Sequence, residues 1–346
     1  MVNQLFPDVK TSRIRAFSCG HIVPPSNVLA VVVQRGPRGG KMEFNFQNRE
    51  DQMLVRCTVM ILFQPRIYRY FGSKFGELGQ LLLNLVNVVP AGMVVFFSSY
   101  STLDIARRLW TTDKTLEKIG LCKRVRVFDY CVFRALNIEE VFYEPTETAG
   151  VESVLRDYGK EIEQSVSYLL IGLPNRVKFL SSRQRGPGKS NGALLMAVVG
   201  AKLSEGLNFT DDLARAVVMV GLPYPNASSP ELKERLKYVS NLSKRKGEKG
   251  DAGKELYENL CMNAVNQSIG TRLFFQPDRG SSTSLASEGR AIRHQRDWAG
   301  LILVDTRYSL PRIQDKLPSW ISSGVKVTST FGATMKTLGG FYKGKR

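Results

Sequence analysis

Continuous apolar runs alternate with amphipathic segments along most of this chain. The unalternated runs lie in VLAVVV (28–33), GMVVFFSSY (92–100), GALLMAVVG (192–200), ARAVVMVGLPYPN (214–226) and GLILVDTRY (300–308). Such runs are typical of parallel strands that are buried on both faces. Helical periodicity falls between them, at about 77–88, 102–118, 151–166, 229–242 and 253–269. The pattern predicts an α/β three-layer sandwich with a mostly parallel sheet.

Two weaker patterns predict further elements. MEFNFQNRED (42–51) alternates enough to suggest another strand, and LPSWI (317–321) is expected to begin the last helical element. Three stretches do not follow this alternation of apolar runs and amphipathic segments: 54–75, 166–189 and 271–289.

Polar and small residues follow several predicted strands. They are the segments SSY (98–100), GAKLSEG (200–206), GLPYPN (221–226) and DTRY (305–308). Ligands of parallel α/β folds bind at the carboxyl ends of the strands, so a site is expected at this edge.

The net charge of the chain indicates which class of binding partner is favoured. The chain has 49 basic and 31 acidic residues, a net charge of +18, which favours a polyanion, and nucleic acid before a membrane surface. The longest apolar run, 81–97, is interrupted by Asn84, Asn87 and Pro90, so no membrane span is expected. The first twenty residues lack the apolar core of a signal peptide.

The cysteines do not predict a metal site. There are five, none with C-x-x-C spacing, and the chain has only two histidines. Cys122 and Cys131 either share a site or are free thiols, and free buried thiols fit a reducing, intracellular compartment better.

Gly188-Lys189-Ser190 has the ending of a phosphate-binding P-loop. The full motif also needs a glycine at position 183, where this chain has Arg183. No apolar strand ends in an acidic pair for magnesium. A basic surface loop is the better interpretation, and the chain has no ATP-hydrolysing apparatus of its own.

Several blocks, in order, carry a resemblance to a known family. They are FSCGHIVPP (17–25), GMVVFFSSY (92–100), VVGAKLSEGLNFTDDLARAVVMVGLPYPN (198–226), ENLCMNAVNQSIG (258–270) and RAIRHQRDWAGLILVDTRY (290–308). The chain resembles the second, RecA-like motor domain of the XPD-like iron–sulfur DNA helicases, in their ChlR-type, cohesion-associated branch. In that family the Walker A loop, the acidic box and the cluster cysteines lie in the first motor domain. ATP with its Mg²⁺ is therefore expected to be shared with a first domain absent from this chain, and an iron–sulfur cluster is expected only there.

The resemblance also implies roles for individual residues. The nucleotide contacts are Ser204, Glu205, Gly206, Gln267 and Gly270, and the nucleic-acid contacts are Lys202, Asn208, Ser98, Ser99 and Tyr100. The residue types fit, because Lys202 can meet a phosphate and Tyr100 can stack on a base. A capped helix start at 204–206 and a buried Tyr100 are the structural alternatives.

The catalytic arginines stand in a divided motif. In the family, Q-S-I-G-R-A-I-R is continuous, so that the glutamine and both arginines share one helical face. Here residues 271–289 separate Gln267 and Gly270 from Arg290 and Arg293. Arg293 corresponds to the arginine finger of phosphoryl transfer. We expect the fold to tolerate this interruption better than the activity does. The extra stretches are either looped-out segments or retained non-coding sequence in a gene model.

The sequence thus predicts three parts: an entry segment (1–27), a helicase C-terminal domain (28–330) and a basic C-terminal tail (331–346). By resemblance, the chain is half of an ATP-dependent DNA helicase of repair and sister-chromatid cohesion. It would reside in the nucleus, with DNA, a first motor domain and cohesion or replication-fork proteins as partners. The alternative is a catalytically inactive, truncated module that binds DNA or a protein. A metabolic α/β enzyme is disfavoured, because the charge is high and His294 has no catalytic partner.

Overall fold

The computed structural model describes the greater part of the chain. The described residues are 24–44, 65–123, 142–143, 154–163, 192–200, 211–245, 247, 250–269 and 297–345.

Seven parallel strands form one sheet in the described residues, in the order β3-β4-β2-β5-β6-β1-β7. Their bounds are β1 Val28–Val33, β2 Met93–Phe97, β3 Phe142–Tyr143, β4 Leu194–Val198, β5 Ala216–Val220, β6 Ala299–Val304 and β7 Lys326–Thr328. The five apolar runs of the sequence are the five central strands, as predicted.

Nine α-helices connect and flank these strands in the part of the chain that is described. They are α1 Pro65–Val88, α2 Tyr100–Thr112, α3 Thr115–Gly120, α4 at 154–163, α5 Pro230–Arg245, α6 Ala252–Ile269, α7 Pro311–Gln314, α8 Ser319–Ser322 and α9 Phe331–Gly344. Short 3-10 turns lie at Pro25–Asn27, Asp211–Ala214 and Thr306–Ser309.

The sheet separates two hydrophobic cores. Side chains alternate along each strand, so Val94 and Phe96 of β2 enter one core while Val95 and Phe97 enter the other. Helices α4, α6, α7 and α8 cover the first face, and α1, α2, α3 and α9 cover the second. The predicted α/β three-layer sandwich is confirmed, and the two buried faces explain why these strands show no polar alternation.

The predicted C-terminal tail is instead structured. LPSWI contains only the short α8, which is followed by β7 and then by α9 over residues that we assigned to a basic tail, 331–346. Thr330 caps α9, while Leu338 and Tyr342 are buried in the core. The adjacent pair Gly339 and Gly340 lowers helix propensity and concealed this i, i+4 apolar pair.

Three other boundaries differ from the prediction. The helix expected over 102–118 is two helices, because Lys114 adopts φ +59 and the Asp113 side chain accepts a hydrogen bond from the Thr115 amide. Helix α1 begins at Pro65, so residues 65–75 of the awkward stretch 54–75 are helical; proline suits a first helical position. Of the strand suggested at 42–51, residues 42–44 are not a strand, and residues 45–51 lie outside the described residues.

Candidate functional site

The carboxyl ends of the central strands lie along one edge of the sheet, because all the strands are parallel. Five segments leave this edge, beginning at Gln34 after β1, Ser98 after β2, Val199 after β4, Gly221 after β5 and Asp305 after β6. The edge is therefore the location at which the sequence predicted a ligand site.

Ser98, Ser99 and Tyr100 leave β2 and start α2. The Ser99 hydroxyl caps the helix, since it accepts a hydrogen bond from the Thr102 amide at 3.2 Å. The Ser98 Oγ is buried and has no hydrogen-bond partner among the described residues. Tyr100 is 44% exposed, so the alternative of a buried Tyr100 is wrong. These three residues lie together at the predicted edge, and their contact with nucleic acid stays a prediction.

An ion pair that the sequence analysis did not assign to the site holds the end of β6. The fully buried Asp305 accepts hydrogen bonds from Nε and Nη2 of Arg307 at 2.9 and 2.8 Å. The same carboxylate accepts the backbone amides of Phe44 and Arg307. Nη2 of Arg307 also donates to the Phe44 carbonyl at 2.8 Å. The guanidinium is thus fixed in place by a carboxylate and a backbone carbonyl.

The Arg307 guanidinium stays protonated. Burial acts to lower the pKa of the guanidinium, but the hydrogen bonds to Asp305 and its negative charge outweigh burial and raise the pKa overall. The Arg307 carbon Cζ also lies 5.8 Å from the centre of the Tyr224 ring.

An open cleft of about 470 Å³ lies beside this ion pair. One wall is formed by residues that follow β1, among them Arg35, Lys41 and Glu43. The other is formed by the turn after β6, including Thr306, Arg307 and Ser309. Lys41 pairs with Glu43 at 2.7 Å, and its side chain is 64% exposed.

The β1 side of the cleft is a glycine-rich turn seated on helix α1. The buried Glu77 of α1 accepts a hydrogen bond from the Arg38 amide at 2.9 Å. Gly36 lies so close to this side chain that a Cβ there would stand 2.0 Å from Glu77 Oε2. The Gly36 amide also donates to the Gly40 carbonyl across the turn. Glycine is therefore required at position 36 by close approach.

The predicted nucleotide contact Gln267 lies toward the opposite edge of the sheet. Near the start of α6, the Tyr257 hydroxyl donates to the Pro225 carbonyl, beyond the carboxyl end of β5. Near its end, Ile269 lines a small apolar cleft with Val28 and Ala299, which are the first residues of β1 and β6. Helix α6 thus runs against the strand direction, and the exposed Gln267 is not brought together with Ser98–Tyr100.

The other eight predicted site residues lie outside the described residues. They are Lys202, Ser204, Glu205, Gly206, Asn208, Gly270, Arg290 and Arg293, together with the stretches 166–189 and 271–289. Their roles stay predictions.

A second buried ion pair, between Arg215 and Asp297, lies at the opposite edge of the sheet, where the strands begin. This is the amino edge. Arg215, just before β5, donates from Nη1 to Asp297 at 2.9 Å and from Nε to Asp212 at 3.0 Å. Its guanidinium lies 4.3 Å from the centre of the Trp298 ring. The buried Tyr342 of α9 donates its hydroxyl to the Arg215 carbonyl.

Metal and membrane sites are not found in the part of the chain that is described. Within those residues no cluster of His, Cys, Asp and Glu could hold a metal ion. Cys261 is buried and Cys122 is half-buried, and both are free thiols. Among the described helices, none is both long and apolar enough to cross a bilayer.

Known proteins resemble this chain along nearly its whole length. The chain is 38% identical over 337 residues to mouse ATP-dependent DNA helicase DDX11, covering 97% of this chain and 29% of that protein. It is 34% identical over 332 residues to ATP-dependent DNA helicase CHL1 of Candida albicans, covering 95% of this chain and 30% of that protein. The solved structure of S. tokodaii Xpd4 aligns with a TM-score of 0.40 at 18% identity, covering 75% of this chain and 35% of that chain.

The family match and the parallel α/β sheet define a helicase C-terminal domain. A model of the family described as "Helicase C-terminal domain" matches residues 82–285 and 285–324, and the chain belongs to this family. The two matched pieces meet at residue 285, inside the stretch 271–289. The chain spans about 30% of the length of these relatives.

The sequence did not predict the open cleft lined by Arg35, Lys41 and Arg307, which we call the basic cleft. The signal was present in QRGPRGGK (34–41), where three basic residues follow directly on a buried strand within a glycine-rich turn. Arg307 was noticed only as a strand end. Its position opposite this turn depends on the pairing of β1 with β6, which are far apart in sequence.

Proposed function

We propose that this chain is the second motor half of an ATP-dependent DNA helicase. It would complete an ATP site on a first motor domain and bind the DNA backbone during unwinding. The observation that carries the proposal is the helicase C-terminal family match over residues 82–324. The relatives named as ATP-dependent DNA helicases, at 34–38% identity, support the same activity.

On the ATP side, Arg293 would be the finger that stabilises charge on the transferring phosphoryl group, with Arg290 beside it. Gln267, Gly270 and the Ser204-Glu205-Gly206 turn would contact the nucleotide. The exposed carboxamide of Gln267 fits a role as a phosphate or ribose donor. The bound ATP supplies the phosphoryl group, and its Mg²⁺ would be held mainly by the first motor domain, which would also carry any iron–sulfur cluster.

On the DNA side, Lys202, Asn208 and the residues Ser98, Ser99 and Tyr100 would bind the strand. The described residues fit this role. The Ser98 Oγ is a buried donor with no partner among them, and Tyr100 is 44% exposed at the same edge. A hydroxyl can bond a phosphate, and an aromatic ring can stack on any base. The net charge of +18 favours the same ligand.

By the same reasoning, the chain would act in the nucleus, in DNA repair and sister-chromatid cohesion, with cohesion or replication-fork proteins as partners. The second candidate function is a catalytically inactive module that binds DNA or a protein. It is favoured by the absence of a complete phosphate loop from the sequence and by the interruption of the arginine motif at 271–289.

Reconstitution separates the two functions. The chain is mixed with the separately produced first motor domain of a ChlR-type helicase, and DNA-stimulated ATP hydrolysis is measured. We expect hydrolysis above that of the first domain alone, and Arg293→Ala should lower it about 10³-fold or more. Arg156→Ala, an exposed arginine of α4, is the matched control. DNA binding by the chain without any gain in hydrolysis would favour the inactive module.

The interruption is tested in the same assay. Deleting 271–289 joins Gly270 to Arg290 and restores the spacing of Gln267, Arg290 and Arg293. If the stretch displaces the arginines, the deletion should raise hydrolysis on the order of 10²-fold. Equal rates for the two forms would mean that the stretch leaves the arginine geometry intact. Peptide mass spectrometry of the native protein shows which form the cell makes.

A further inference from the structure

We propose that the cleft between the 34–43 segment and the turn after β6 is a second backbone-binding site for DNA, with Arg35, Lys41 and Arg307 as its phosphate contacts. The inference rests on the proposed function, because it names a further part of the same DNA-binding surface. Arg35 and Lys41 lie outside the motifs by which the chain resembles its family. Arg307 lies near the end of one of them, RAIRHQRDWAGLILVDTRY (290–308), but the resemblance assigned it no role.

The first argument is the hydrogen bonding of Arg307. A guanidinium has five N–H donors. In this structure Nε and Nη2 are engaged by Asp305 and the Phe44 carbonyl, while the two N–H groups of Nη1 have no partner among the described residues. The side chain is 21% exposed and lines the cleft. Arg307 thus presents fixed, charged donors to a ligand without having to lose rotamer freedom on binding.

The second argument is the opposite wall. The glycine-rich turn carries Arg35, Arg38 and Lys41, all exposed. Lys74 of α1 supports the wall, because its Nζ donates to the Glu43 carbonyl at 2.9 Å. The turn is anchored from below by Glu77, so its geometry exists before any ligand arrives.

The acidic residues nearby do not cancel this charge. Asp305 and Glu77 are buried beneath the surface of the cleft and serve to hold Arg307 and the turn. Among the described residues that line the cleft, Glu43 is the one acidic side chain, and it is paired with the exposed Lys41. Exposed ion pairs are weak, so a phosphate can readily replace Glu43 as the partner of Lys41.

The third argument is the placement of the cleft along the sheet. In the strand order β2-β5-β6-β1, the cleft lies at the ends of β6 and β1, and Ser98–Tyr100 lie at the end of β2. Adjacent strands are about 4.8 Å apart, so the two groups stand roughly 10–15 Å apart along one edge. A strand of DNA that follows this edge can contact both. An open cleft suits a continuous polymer better than a small ligand that is enclosed.

The test measures binding of a fluorescein-labelled single-stranded oligonucleotide to the full 346-residue chain by anisotropy, over a range of salt concentrations. Arg35→Gln/Lys41→Gln removes two exposed charges from the cleft. The matched control is Lys160→Gln/Lys336→Gln, which removes two exposed charges from α4 and α9. Thermal unfolding verifies that both variants fold.

We expect the cleft variant to bind on the order of 10-fold more weakly and the control to bind within about twofold of the original chain. Each lost phosphate contact should also reduce the slope of log K against log salt by about 0.7, and hence by about 1.4 for two contacts. A general charge effect would change the two variants equally, and that result would overturn the proposal.

The other outcomes separate this inference from the proposed function. If the original chain binds the oligonucleotide and the cleft variant binds it with the same affinity and salt slope, only the cleft proposal fails. If the original chain does not bind the oligonucleotide at all, the proposed DNA contact fails with it. If the cleft variant loses binding of a fluorescent ATP analogue but keeps DNA binding, the cleft is a nucleotide site and the proposal is overturned.

Discussion

Two buried arginine–aspartate pairs, at opposite edges of one sheet, have different surroundings. At the amino edge, Arg215 is enclosed by Asp297, Asp212 and the Trp298 ring, and its side chain is only 9% exposed. At the carboxyl edge, Arg307 is held as firmly by Asp305 but borders an open cleft. The same pair of residue types therefore closes a core at one edge and presents a charge at the other.

The difference lies in what covers the arginine. Helix α9 reaches the amino edge, where Tyr342 donates to the Arg215 carbonyl and packs on Trp298 at 6.0 Å. At the carboxyl edge, the chain leaves β1 in a tight glycine turn. Its Phe44 carbonyl accepts a hydrogen bond from Nη2 of Arg307, and an open cleft lies beside the same guanidinium. Burial alone does not distinguish a structural ion pair from one that can bind a ligand. The two kinds of ion pair are distinguished by whether the arginine keeps N–H donors that are not already hydrogen-bonded.

The largest expected effect is a loss of folding stability when the enclosed pair of Arg215 and Asp297 is broken. Arg215→Ala removes a guanidinium that pairs with the fully buried carboxylate of Asp297 and should lower the free energy of unfolding by about 3–5 kcal/mol. Urea unfolding followed by circular dichroism measures this. Asp212→Ala is the matched control, because Asp212 is half exposed and its loss should cost at most about 1 kcal/mol. Equal losses for the two variants would contradict the importance of enclosure.

A smaller loss is expected at the anchored turn. Gly36→Ala places a methyl group against Glu77, so the turn must shift, at a cost of about 1–3 kcal/mol. DNA binding should weaken at the same time, since Arg35 and Lys41 move with the turn. Gly39→Ala tests a glycine of the same turn whose Cβ would meet nothing within 4 Å, although its φ of +84 still disfavours a side chain. If Gly36→Ala leaves both stability and DNA affinity unchanged, the anchoring is not what positions the turn.

Arg307→Lys tests the fork geometry with the charge kept. A lysine can still pair with Asp305, so the fold should survive, but it cannot bond Asp305, Phe44 and a phosphate at fixed positions together. We expect a loss of about 1 kcal/mol in DNA-binding free energy, or roughly fivefold in affinity, measured by the same anisotropy titration. An unchanged affinity would show that charge alone suffices at this position.

The smallest effect concerns alkaline pH. Burial raises the pKa of Tyr224 to about 12, with further increases from the charges of Cys261 and Glu258 and opposition from Arg307 and Arg312. Because this folded-state pKa exceeds the unfolded value of about 10, the neutral phenol contributes stability that is complete below pH 10 and is lost as pH rises toward 12. In the Tyr224→Phe variant, the free energy of unfolding should fall less as the pH rises from 10 toward 12.

The comparison of the two edges predicts an order of ionisation. Burial raises the pKa of Tyr342, at the closed edge, further than that of Tyr224. Phenolate absorbance should therefore show Tyr224 titrating first, while Tyr342 ionises only on unfolding. Simultaneous ionisation of both would contradict the view that the carboxyl edge is the more open one.

The sequence by itself determined most of the fold. The five central strands were predictable because a strand buried on both faces must be apolar at every position, and that pattern is local. The edge of the expected site followed as well, since parallel strands place their carboxyl ends together. Helix α9 was not predictable from its basic, glycine-containing sequence, because Leu338 and Tyr342 are stabilised by a core formed from distant strands.

The candidate site divides in the same way. Ser98, Ser99 and Tyr100 could be named from the sequence, since they directly follow an apolar run and resemble a known motif. The basic cleft was decided only by the tertiary structure. Residues 34–43 and 305–309 meet because β1 pairs with β6, and Asp305, fully buried by that packing, fixes Arg307 so that one nitrogen remains for a ligand. Which of an arginine's donors are already used depends on neighbours brought together by folding, and no local pattern in the chain encodes that.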